Sequence, residues 1–80
     1  MASNLQQFRN ERMRSAARHI GWARHYRREA RRLARRGSVD GVLRMLGAFE
    51  QAMKDWRTEV EEVLWADRAL ARLAAREVWS

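Results

Sequence analysis

Eighty residues make at most one domain, and a chain this short buries too small a share of its surface to be stable without some supplement to its core. The absence of cysteine excludes disulfides and thiolate metal sites, while 46% hydrophobic residues, four tryptophans among them, and no proline exclude a disordered chain and favour helix. Seventeen basic residues against ten acidic ones leave a net charge of +7, and every basic residue but Lys54 is arginine, a bias that suggests a GC-rich coding genome, bacterial or phage.

The opening stretch from Met1 to Asn10 is polar and lacks the apolar segment of a secretory signal, and no apolar run approaches the roughly 18 residues of a membrane span. A cytoplasmic location is expected. Ser3 followed by Gln6 has the spacing of a reciprocal helix cap, which predicts a first helix beginning near Asn4. It should run to about Arg36, because Arg35 and Arg36 put positive charge at a helix C-terminus and Gly37 supplies the left-handed residue that ends one. Its apolar stripe is slim: Leu5, Phe8, Met13, Ala16, Ile20, Ala23, Tyr26, Ala30, Leu33 and Ala34. The small members of that stripe would let a second helix approach closely.

Ser38 restarts a helix as N-cap, with Asp40 in its first turn. So short a break makes the two helices antiparallel neighbours. Along the second helix, Val42, Leu46, Phe49, Met53, Trp56, Val60, Val63, Asp67, Leu70 and Ala74 follow one another at alternating spacings of four and three, a heptad seam with Asp67 its one polar interruption. The expected fold is all-α, an antiparallel two-helix hairpin with helices at about 4–36 and 39–78, a single domain over residues 1–80. At about 1.5 Å per residue the helices would be roughly 50 and 60 Å long. Beyond its seam, helix two is apolar through Leu64, Trp65, Ala66, Leu73, Val78 and Trp79, a width that asks for more than one neighbour. A homodimeric four-helix bundle is the simplest cover, with a monomer docked on a different protein as its rival.

Charge is segregated between the helices. Residues 1–37 hold eleven arginines against Glu11 and Glu29, whereas residues 38–80 hold six basic and eight acidic groups. At 100° per residue, Arg14, Arg18, Arg24, Arg28, Arg31, Arg32, Arg35 and Arg36 fall opposite the apolar stripe of helix one, with His25 among them. Such a face suits a polyanion, whether nucleic-acid phosphate, a lipid headgroup layer or an acidic protein, unless carboxylates of helix two such as Glu50, Asp55, Glu59, Glu61 and Glu62 neutralise it. Arg9, Arg12 and Arg27 lie on or beside the stripe instead. In a hairpin that turns near residue 37, Arg12 and Asp67 are expected to form a structural ion pair that fixes register.

Catalysis has little to stand on: no cysteine, few hydroxyls and two histidines offer no nucleophile and base. His19 and His25 are six apart, on different faces, which fits no metal spacing, and neither a cofactor nor a small-molecule substrate is expected. His19 is expected to be a packed, hydrogen-bonded imidazole roughly across from Trp56, and His25 to pair with Glu29. Trp56 belongs to the seam, while Trp22, Trp65 and Trp79 sit on flanks that a lone hairpin leaves partly exposed, positions that tend to mark interfaces.

The reading is a non-enzymatic interaction module, a homodimer that inhibits or chaperones another protein, of the sort phages and accessory genes encode. Its partner surface would be Arg24, Arg28, Arg31, Arg32, Arg35, Trp22 and Trp65, and its dimer and core seam Leu46, Phe49, Met53, Trp56, Val60, Val63 and Leu70. The alternative is a regulator that binds RNA or DNA through the arginine face. In architecture that alternative resembles the small RNA-binding hairpin dimers that govern plasmid copy number. Membrane association is disfavoured, because the alanine-rich stripe of helix one lacks the bulky apolar face it requires.

Overall fold

The computed structural model describes residues 2–79, with side chains over residues 3–77, so the flank positions Val78 and Trp79 lie outside the described side chains. Two helices account for it, α1 from Ala2–Arg35 and α2 from Val39–Trp79, packed antiparallel along their length. The chain is a rod whose Cα atoms span 65 × 13 × 13 Å.

The turn is made by local chemistry. Gly37 adopts φ +76°, its N–H donates to the carbonyl of Ala34 at 3.0 Å, and the N–H of Ser38 reaches back to the carbonyl of Leu33 at 3.0 Å. Those two bonds close the last turn of α1 on carbonyls that would otherwise lack partners. Ser38 then caps α2, its Oγ accepting from the N–H of Gly41 at 3.3 Å while its own carbonyl accepts from Val42 at 3.0 Å. The other terminus departs from expectation. Since α1 already starts at Ala2, Ser3 is inside the helix rather than its cap, and Gln6 donates along the helix to Asn10 at 3.2 Å.

The hairpin's core is made of small residues. Ala16, Ala23 and Ala30 recur every seven positions on α1, facing Ala52, Glu59 and Ala66 at the same interval on α2, with Val63 beside them, and all are at most 9% exposed. Small side chains at a helix contact shorten the distance between axes and give a tight but thin seam. No large side chain among the described residues is fully buried.

This corrects the expected seam. The α2 residues that meet α1 lie one position earlier than the apolar heptad, which displaces the two by about 100° around the helix. Val63 is buried, but Phe49, Met53, Trp56, Val60 and Leu70 are only half-buried, Leu46 is 42% exposed, and Asp67 is exposed. Backbone proximity selected the alanines; the bulky residues could not have occupied so narrow a gap.

Candidate interaction surfaces

One flank of the hairpin is a polar seam centred on Glu59, which is 9% exposed. Its carboxylate accepts from Ser15 Oγ at 2.7 Å and from His19 Nδ1 at 2.9 Å, and Nε2 of the same ring lies 3.8 Å from Asp55. Because an ionised carboxylate can only accept, Nδ1 is the protonated nitrogen in this contact. Burial pushes the Glu59 carboxyl up, but the hydrogen bonds from Ser15 and His19, with the charges of His19 and Arg12, outweigh it, and the group titrates below its ordinary value. Farther from the turn, Arg12 pairs with Glu62 at 2.8 Å and covers the ring of Phe8, which meets Trp65 edge-on with centroids 6.5 Å apart.

Arg12 is therefore not the partner of Asp67. Arg9 is, at 2.9 Å, because Arg9 and Asp67 lie on the opposite flank from Glu62. Both ion pairs are partly exposed, which leaves them modest in energy and useful mainly for register. His19 faces α2 as a hydrogen-bonded imidazole, with Glu59 its partner at 2.9 Å and Asp55 beside the other ring nitrogen. Glu29 pairs with Arg32 at 2.7 Å and not with His25.

The flank marked by Arg9 and Asp67 is apolar elsewhere. Met13, one turn on from Arg9, is 45% exposed, and it and Ile20 border Phe49, Met53, Trp56 and Val60 of α2, with Leu46 and Val42 toward the turn. Leu64, at 48% exposure, widens the same side of α2. Such an apolar strip is more than a lone hairpin can cover.

The third surface is the outer face of α1. Arg14, Arg18, Arg24, Arg28, Arg31, Arg32, Arg35 and Arg36 are all exposed. Within the described residues the carboxylates of α2 that pair with α1 engage Arg9, Arg12 and His19, so the run from Arg24 to Arg36 has no counter-charge from α2. At the rim of this face Trp22 stacks on Tyr26, centroids 5.8 Å apart and planes 24° from parallel, and His25 meets Trp22 edge-on at 5.8 Å. A groove of about 340 Å³ runs from His19 and Trp22 to Gln51 and Asp55.

Of the residues expected to bind a partner, Arg24, Arg28, Arg31, Arg32 and Arg35 are exposed on the half of α1 nearer the turn, Trp22 lines the groove on the flank of His19 and Asp55, and Trp65 lies far along the rod beside Phe8, so the structure does not bring them together as one surface. Among the described residues no group of three histidine or acidic side chains is placed to hold a metal ion, and no helix is long and apolar enough to cross a membrane. No family model, characterised protein or solved structure matches the chain. Sequence reasoning missed the Ser15–Glu59–His19 cluster. Its signal was present in Glu59 standing where the seven-residue alanine ladder of α2 skips a step.

Proposed function

We propose that this chain is a non-enzymatic interaction module of the cytoplasm, a homodimer that inhibits or chaperones another protein. The observation that carries the reading is the apolar heptad of α2, with Leu46, Phe49, Met53, Trp56 and Val60 outside the hairpin's own interface. Heptad spacing is the requirement of a helix meeting a helix, and the hairpin's own alanine seam leaves this second stripe at best half covered. A second copy related by a twofold axis would bring an identical strip and produce a four-helix bundle with the large-residue core that each hairpin lacks. Trp65 and Leu64, at 60% and 48% exposure, offer the aromatic and aliphatic anchors by which the bundle would hold a different protein.

Thermal unfolding followed at several protein concentrations tests the dimer, because a folded state that exists as a pair melts at higher temperature when concentrated. The expected Tm rises with concentration, and M53Q/V60Q lowers it while removing the dependence. A Tm indifferent to concentration rules the pairing out. Capture of one protein partner that survives nuclease and moderate salt, yet is lost with Trp65→Ala, tests the second half of the proposal.

A further inference from the structure

The apolar strip of α2 reads alike in both directions about Met53. Leu46 and Val60 stand seven residues to either side of it, with Phe49 and Trp56 in between, and the hairpin leaves every one of them half-buried or exposed. The margin of the strip away from α1 repeats the symmetry in charge, because Glu50 lies three residues before Met53 and Arg57 four after. Both are exposed, neither forms an ion pair among the described residues, and with Phe49, Met53 and Lys54 they line a groove of about 300 Å³. On the other margin, Arg24, Arg27 and Arg31 continue the α1 face of Met13 and Ile20 toward the turn.

We propose that a second copy occupies this flank in one particular arrangement, its α2 antiparallel to this α2 about a twofold axis that passes through Met53. The arrangement rests on the dimer argued above and fixes its direction and register. It sets Met53 on the partner's Met53, Leu46 opposite the partner's Val60 and Phe49 opposite the partner's Trp56, so each level of the contact is apolar from both sides. Glu50 comes beside the partner's Arg57, and symmetry repeats the pair, whereas parallel α2 helices would bring each charge level with its own copy. Asp67, the one polar break in the strip, falls at the end of the paired stretch, level with the start of the partner's α2, where it and Arg9 keep their solvent. The rival arrangement, with both turns at one end, lays α2 on the partner's α1. There Leu46 and Phe49 would cover Arg24, Arg27 and Arg31, none of which has an ion-pair partner among the described residues, and burying such groups is costly.

Cysteine crosslinking and spin-label distances on the full chain test the arrangement, with sedimentation of the same samples reporting whether a pair forms at all. Met53→Cys should give a disulfide-linked dimer under mild oxidation, since the residue meets its own copy at the axis, whereas Leu64→Cys, about 33 Å from its copy along the rod, should not. Labels on Asp40→Cys should lie about 40 Å apart along the rod, because the two turns point to opposite ends. E50R or R57E alone should weaken dimerisation roughly tenfold by setting like charges at both symmetric contacts, and E50R/R57E should recover most of the loss. A dimer that links through Leu64→Cys and not through Met53→Cys, or whose Asp40→Cys labels lie within roughly 20 Å, two interhelix spacings, overturns the arrangement and leaves the dimer standing. A double variant no tighter than the single ones does the same. A monomer of 9.5 kDa throughout the micromolar range overturns dimer and arrangement together.

Discussion

At Gly41 a Cβ would lie 2.7 Å from Ser38 Oγ and 3.0 Å from Leu33 Cδ1, whereas at Gly21 and Gly47, also inside helices, nothing stands within 4 Å. Alanine improves helix propensity by about 1 kcal/mol over glycine, so the three substitutions should differ in sign. Gly21→Ala and Gly47→Ala are expected to raise stability by up to about 1 kcal/mol. Gly41→Ala meets the capping hydroxyl, which is tied to the backbone it caps, and is expected to lower stability by about 1 kcal/mol once overpacking outweighs propensity. Urea unfolding at one fixed protein concentration reads all three. Glu59 gives a second residue-scale expectation. Its carboxyl titrates lower in the folded chain than in the unfolded one, so the unfolded state takes up the proton first as pH falls. The stability it contributes is complete above the ordinary value of 4.5 and is lost as pH drops through the depressed folded value. Glu59→Gln should cost about 1 kcal/mol at neutral pH and flatten stability against pH below 4.5. An unchanged acid limb in the variant would show that other carboxylates govern it.

Each helix carries two stripes, and only one of them makes the hairpin. Ala23 and Ala66, at 1% and 0% exposure, lie at two levels of the buried seam between the helices. Leucine at either position should force the helices apart and cost about 1–3 kcal/mol by overpacking, whereas the same change at exposed Ala71 should be nearly neutral. Thermal melts of the three variants check this. The contrast explains what could be read in the sequence. Gly37 and Ser38 announced the turn because capping is chemistry among neighbours, and the antiparallel arrangement followed from the shortness of the link. The facing side of α2 was not legible, because hydrophobicity ranks Phe49, Met53 and Trp56 above Ala48 and Ala52, while a close antiparallel contact selects by size. The same angular error assigned Arg12 to Asp67. Arg9 and Arg12 are less than a turn apart, and only the packed structure reveals that they point to opposite flanks. The arginine face was legible since its residues need only be exposed, but its lack of internal counter-charge depended on where the carboxylates of α2 point.

The described chain is a rod whose Cα atoms span 65 × 13 × 13 Å, with a thin alanine seam inside, an apolar flank on α2, and a cationic back on α1. The thinness of the seam would tie stability to a dimeric assembly: a hairpin with no large side chain fully buried among its described residues would gain most by covering Leu46, Phe49, Met53, Trp56 and Val60 together. Sedimentation equilibrium of the purified chain over micromolar concentrations puts this to the test most directly. A mass of twice 9.5 kDa that dissociates on substitution M53Q/V60Q is the expected result. A stable, fully helical species of 9.5 kDa throughout that range would contradict the account.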